Sequence, residues 1–514
     1  MTADKASSMV ESHSSDIILS ETIERPSKGG SLQDKSQGAD SHQLTHFERK
    51  AALINDELDK LGFGKYQKCI WLLCGFGYFL DLTWAQGIIL MATAIFQEMN
   101  VSAERQGLMF TCGNAGLAVG AFTFGITSDK IGRKWVFSIT CLITCVFGML
   151  LAAVKFNYGA ICGIYFLACI GLGGNIPINA TIALEFMPPS KRYLVSLLSM
   201  FQPIGVVVAS VIAYGTAAKY RCDATLPACV AVGAGEACCT VSSNMGWRYL
   251  VIVIGSITLS IFLARYLLFR FHESPKFLVA KGREQDAIVV LDKIARFNGA
   301  TAPTVTIEDF RDIDRSMGVV AAEKASPSDA RGIIGNYWSF NLAGAFLPII
   351  LLRNHVDDGA NSVSDTYLQY VYIYLPGILG AVIALFSVQM PLLGRKWSLV
   401  VSATLQGLAM AMYTQVKNTA GFVGLNAFEY IMQTYFNSVL YASAPELFDT
   451  TYRASASGML SSLGRIAGII APIAGQKYIA AGASGVLWLG AGGIWLSAIL
   501  MVFLPVEMRD KQMY

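Results

Sequence analysis

Three ionisable residues, Asp81, Glu429 and Arg465, stand inside stretches that are otherwise apolar. Placing a charged side chain at the centre of a bilayer costs about 3 kcal/mol even on lenient insertion scales, so each is a functional hypothesis by default. A carboxyl group in an apolar cavity keeps its proton to higher pH than in water, toward the range where a transmembrane proton gradient loads and unloads it. A fixed guanidinium in the same surroundings favours carboxylates or other anionic oxygens, which it holds through a two-pronged fork. Proton transfer and anion binding are therefore the chemistry on offer, with Asp81 the preferred proton carrier and Glu429 the second. The competing reading is structural: one carboxylate neutralises Arg465, and the cavity then suits a polyol or another neutral solute. Asn175, Asn179, Asn341 and Gln433 are amides that would complete a polar site, with aromatic walls such as Trp84, Tyr374 and Tyr430. Taken singly, each is more often an ordinary interhelical hydrogen bond or packing residue.

Such residues need elements that cross a membrane. Of the 514 residues, 54% are hydrophobic and only 15% charged, with a mean hydropathy of +0.48, whereas soluble domains carry about 25% charged residues. Six apolar runs of span length come first, at about 69–96, 107–127, 135–154, 158–183, 194–218 and 248–269. Six more follow at about 333–352, 367–390, 397–415, 421–442, 457–480 and 484–505. Asp81 lies about 12 residues into the first run, roughly 18 Å at 1.5 Å per residue, past the midplane toward the outside. Glu429 and Arg465 fall near mid-membrane. The expected domains are a disordered tail at 1–66, a six-helix bundle at 67–270, a hydrophilic linker with short helices at 271–332, a second bundle at 333–506 and a tail at 507–514. The amphipathic stretch Phe47 to Leu61 is expected to lie along the membrane surface. Lys and Arg concentrate in the loops that face the same side as the N-terminus, which puts both termini in the cytosol.

The two halves repeat each other. Gly132-Arg133-Lys134-Trp135 returns as Gly394-Arg395-Lys396-Trp397, a shift of 262, each between the second and third span of its half. Glu185 and Arg192 return as Glu446 and Arg453, a shift of 261, each after a fourth span. Two matches at nearly one shift imply an all-α membrane protein of 12 helices in two pseudo-symmetric six-helix bundles.

Gly125-Ile-Thr-Ser-Asp129-Lys130-Ile-Gly132-Arg133-Lys134 resembles the loop 2–3 signature of the major facilitator superfamily. That resemblance implies a gate in which the Asp meets the Arg and a helix terminus of the other half, holding one conformer closed. The second copy departs from it: Pro391 stands where the first half has Asp129, so Arg395 needs another partner, for which Glu446 is the candidate. Glu185-Phe-Met-Pro188 with Lys191-Arg192, Pro445-Glu446-Leu-Phe with Arg453, and Glu273-Ser274-Pro275-Lys276-Phe277-Leu278 resemble the cytosolic charge network of the sugar-porter and organic-ion-transporter branch. Gly173-Gly174-Asn175-Ile-Pro177 and Gly77-Tyr-Phe-Leu-Asp81 bring the chain nearest to synaptic-vesicle-glycoprotein-like members and their fungal relatives.

Cys222, Cys229, Cys238 and Cys239 cluster in the loop between spans 5 and 6, which the topology places outside, where disulfides form. Spacing leaves their pairing open, with a vicinal bond least favoured. No cofactor and no metal site is expected, and no nucleotide-binding loop or nucleophile triad points to an enzyme. With 39 basic residues against 36 acidic ones there is no nucleic-acid stripe either. The expected partners are a small-molecule substrate, protons and the lipid bilayer, for a monomer in the plasma membrane. The resulting expectation is a secondary transporter working by alternating access, coupling proton entry to uptake of a carboxylate or sugar-like metabolite. Its rivals are a proton antiporter that exports a toxic compound or secondary metabolite, and a nutrient sensor with a degenerate transport core.

Overall fold

In the computed structural model, residues 46–268 except 234, 271–316, and 363–503 except 414, 415, 417, 418, 447, 449, 451 and 482 are described. The seventh apolar run, with Asn341, and the tails at 1–45 and 504–514 lie outside them. The other eleven runs fall on helices. In the first half these are α2 (Lys65–Glu98), α3 (Ala103–Ile131), α4 (Arg133–Leu150) and α5 (Tyr158–Phe186), then a 3-10 segment (Pro189–Met200) running into α6 (Phe201–Gly215), and α7 (Gly246–Leu263). The second half contributes α11 (Val363–Tyr374) and α12 (Gly377–Ser387), separated at Pro376, then α13 (Gly394–Met412), α14 (Thr419–Glu446), α15 (Arg453–Ala481) and α16 (Ala483–Val502). Among the described residues, seven helical stretches are long and apolar enough to cross a membrane: those of α2 to α7, and Asp365–Ser387.

Helices carry this fold because lipid offers the backbone no partner, so each span must satisfy its own N–H and C=O groups. Polar side chains follow the same economy. Thr83, Thr140, Thr144 and Thr258 each donate to the carbonyl one turn back. Pro177 breaks that ladder inside α5, where the Thr181 hydroxyl donates to the Pro177 carbonyl at 2.8 Å.

The segment before the first span differs from its expected place. α1 (His46–Leu61) is a helix whose apolar face is covered by protein: Ile54 and Leu58 are fully buried in one cluster with Leu278, Leu291, Ile294 and Phe310. These belong to the linker helices α8 (Pro275–Ala280), α9 (Glu284–Asn298) and α10 (Ile307–Ser316). Lys50 Nζ lies 2.9 Å from Glu284 and 2.8 Å from Asp314, and Glu57 accepts from the Thr304 N–H. On its other side α1 reaches the segment after α5, where Asn55 accepts from Arg192 and Asp59 from Ser190. A 16-residue amphipathic helix needs something apolar beneath it; here the linker supplies it.

At the opposite end, Cys222 pairs with Cys239 and Cys229 with Cys238, at Cα separations of 5.6 and 4.9 Å. Beneath this loop the fully buried Glu98, at the end of α2, meets Arg248 of α7 through a fork of 2.7 and 2.9 Å. The Trp247 and Asn244 side chains also donate to it.

Candidate functional site

Asp81 sits sixteen residues after Lys65 and seventeen before Glu98, at the middle of α2 rather than displaced toward one end, because the helix starts earlier than the apolar run does. It is buried, and its Oδ1 accepts from the Asn175 amide of α5 at 3.1 Å. The charges that act on it are Arg465 of α15 and then Arg265, in the π-helical turn Ala264–Leu268 that ends α7. Arg465 thus reaches from the second half into the first, where it also acts on Tyr165 and Cys169 of α5. Asn179, one turn beyond Asn175, is fully buried and lies against Gly77, one turn before Asp81.

Glu429 stands apart from this cluster. It is buried in the second half, where the Gln406 amide of α13 donates to its Oε1 at 2.8 Å and Tyr374, Tyr413 and Tyr430 surround it. Tyr374 meets Tyr430 edge-on at 4.4 Å. The two carboxylates therefore occupy separate surroundings, one with cations and one with phenols. Gln433 is buried one turn from Glu429 on α14.

The repeated loops converge at the Gly-Arg-Lys end. Gly132 turns the chain with φ 107° between α3 and α4. Arg133, fully buried, lies 3.0 Å from Asp129 and 3.1 Å from Glu185, with its guanidinium 4.3 Å over the Phe277 ring. It also donates to the Thr450 carbonyl of the second half at 2.8 Å, and Asp129 accepts from the Ser455 N–H at 2.6 Å, in the first turn of α15. An anion at a helix N-terminus meets unsatisfied N–H groups and the positive end of the dipole. The helices behind it touch at glycines: a Cβ on Gly125 would lie 2.7 Å from the Ala454 carbonyl and 3.1 Å from Gly458.

Around this contact Glu273 accepts from the Arg133 N–H at 2.9 Å, capping α4. Burial pushes the Glu273 carboxyl up against that cap. Lys276 is buried beside it, and burial, reinforced by Arg192 and Arg453, holds its ammonium well below the usual lysine range. Lys130 and Lys134 face outward. In the second half Arg395 pairs with Glu446 at 2.7 Å, and Arg453 donates to the Pro445 carbonyl at 2.9 Å. At the disulfide end the halves meet again, where the Tyr367 hydroxyl of α11 donates to the Leu90 carbonyl at 3.0 Å.

Residues 70–513 match the family described as "Sugar (and other) transporter". The chain belongs to that family of major facilitator transporters. It is 30% identical over 502 residues to MFS siderochrome iron transporter 1 of Ceriporiopsis subvermispora, covering 90% of this chain and 92% of that one. Over 501 residues it is 28% identical to the major facilitator-type transporter hxnZ of Emericella nidulans, covering 89% and 87%. The fold is shared with the proton:xylose symporter XylE bound to 6-bromo-6-deoxy-D-glucose, at a TM-score of 0.68 and 16% identity over 87% of this chain and 97% of that one. This is a multi-pass membrane transporter, and not an enzyme.

Within the transporter, sequence reasoning passed over Arg265, Gln406, Thr450 and Ser455. Arg265 falls four residues short of the end of the sixth apolar run, where an arginine reads as a flanking charge. An isolated glutamine in an apolar helix carries no signal of its own. Thr450 acts through its carbonyl and Ser455 in part through its N–H, which residue type does not reveal.

Proposed function

We propose that this transporter carries a small organic anion, a carboxylate or an acidic sugar-like metabolite, inward together with a proton by alternating access. The observation that carries the reading is the placement of Asp81 within electrostatic reach of Arg465, a cation that belongs to the other half. With Asp81 ionised, its charge offsets that of Arg465. A proton on Asp81 removes that offset, and the field of the guanidinium then favours the substrate's carboxylate. Proton and anion thus load together, and rocking of the halves delivers both to the other side.

In this reading the bundles at 67–270 and 333–506 move about the linker at 271–332. The Gly-Arg-Lys end faces the cytosol of a plasma-membrane protein, working as a monomer with both termini inside. The contact of Asp129 and Arg133 with the first turn of α15 is the inner gate, which Glu185, Arg192, Glu273 and Arg453 brace, with Arg395 and Glu446 its counterpart in the second half. The basic loops support that orientation.

Proteoliposomes acidified outside and offered a panel of labelled carboxylates and sugars test it. One or more acidic solutes should accumulate, and Asp81→Asn should abolish accumulation while leaving exchange across the membrane. Accumulation unchanged in Asp81→Asn would remove Asp81 as the proton carrier, and accumulation of neutral sugars alone would remove the anion.

A further inference from the structure

Asp81 is flanked by two arginines that differ in one respect: Arg465 belongs to the second half, whereas Arg265 belongs to the first. Arg265 is buried and tied to the helices around Asp81. Its Nη2 donates to the Leu73 carbonyl of α2 at 3.0 Å, its Nη1 donates to the Phe137 carbonyl of α4 at 3.2 Å, and the guanidinium lies 3.8 Å over the Phe137 ring. Gly77, one turn before Asp81, leaves the space: a Cβ there would overlap the Asn179 amide and lie 2.8 Å from Arg265 Nη2. The π-helical turn that carries Arg265 is a rare local form that recurs at functional sites.

The cluster has more polar capacity than its own members use. Asp81 Oδ2, Asn175 Oδ1, both amide atoms of Asn179 and Arg265 Nε are buried without a hydrogen-bond partner among the described residues. In native proteins such groups are rare and meet water or a ligand. The other titratable groups here are the Cys74 and Cys141 thiols of α2 and α4, near Arg265, with Tyr165 and Cys169 of α5 near Arg465.

We infer that Arg265 is the permanent counter-charge of Asp81, a positioning residue that moves with it through the transport cycle, while Arg465 is the counter-charge that the rocking motion adds and removes. The inference rests on the reading of Asp81 as proton carrier. A single arginine across the interface would leave Asp81 without a counter-charge whenever the halves part. With Arg265 fixed beside it, Asp81 remains a usable acid in both conformers, and Arg465 modulates it. The unpartnered amides and Oδ2 give water a place to deliver the proton.

The test needs no substrate. The full chain in lipid nanodiscs is titrated by infrared spectroscopy, and the Asp81 carboxyl band is identified as the one lost in Asp81→Asn. In Arg265→Gln its midpoint should move about one to three pH units toward alkaline pH, the range one neighbouring charge commands. Arg265→Lys should return it toward wild type. If Arg265→Gln does not fold, Arg265→Met, which keeps an apolar stem against Phe137, takes its place. A midpoint equal to wild type in the neutral variant would overturn the inference and leave the proton reading intact. The absence of any Asp81→Asn-sensitive band that titrates would overturn the proton reading itself.

Discussion

Arg133 serves two carboxylates and the backbone of the other half at once, while burying its whole guanidinium. Removing one partner of such a network leaves uncompensated charge, which costs about 3–5 kcal/mol. Arg133→Gln should therefore lower the thermal unfolding midpoint in detergent well beyond a surface substitution such as Lys134→Gln, which a fluorescence-monitored melt would read. Unequal legibility from sequence has a physical reason at this scale. Charges inside apolar runs announce themselves, so Asp81, Glu429 and Arg465 were visible. Which charge acts on which was not, because residue type does not say whether Arg465 serves Glu429 on the preceding helix or Asp81 nearly four hundred residues earlier. Arg465 acts on Asp81, while Glu429 has Gln406 and three tyrosines about it.

Among the elements, α1 shows where a pattern stops being informative. Its amphipathic period was legible, but a period states that one face is apolar and not what covers it; the cover comes from residues over two hundred positions away. Its ionic contacts predict a pH response. Burial pushes the Glu57 carboxyl up, but hydrogen bonds from Lys60 and Thr304 outweigh it and leave it below its ordinary 4.5. The hydrogen bond from Lys50 holds Asp314 below 3.8. Carboxyls lowered in the folded state contribute stability above their unfolded values and lose it as pH falls through the folded ones. Docking of α1 should thus hold at neutral pH and loosen below about pH 4, seen as faster amide exchange over residues 46–61 that spares α2. Unchanged exchange at acid pH would mean the apolar face alone holds the helix. For the α3–α15 contact, Gly458→Val should separate the helices, since a Cβ there already overlaps the Ala121 carbonyl. Spin-label distances across the Gly-Arg-Lys end should lengthen and their distribution shift toward an open form.

For the molecule as a whole, the internal repeat exposed the two-bundle plan. Two short motifs at shifts of 262 and 261 suffice because homologous halves keep their loops at equivalent points. The repeat says nothing about the seam between halves, which is built from contacts that the two copies do not share: Asp129 has its helix terminus, while Pro391 offers no carboxylate.

That seam has a consequence for how the sequence can drift. On the second half's side the gate offers Arg133 and Asp129 two main-chain atoms, the Thr450 carbonyl and the Ser455 N–H, and one side chain, that of Ser455. Every residue supplies a carbonyl, and every residue except proline an N–H. In a saturation library scored for folded, active transporter, position 450 should accept other side chains that fit, position 455 should favour a hydroxyl and reject proline, and 129 and 133 should tolerate almost nothing. A functional latch would then be written on one side in letters that cannot change and on the other partly in a spelling that every residue shares.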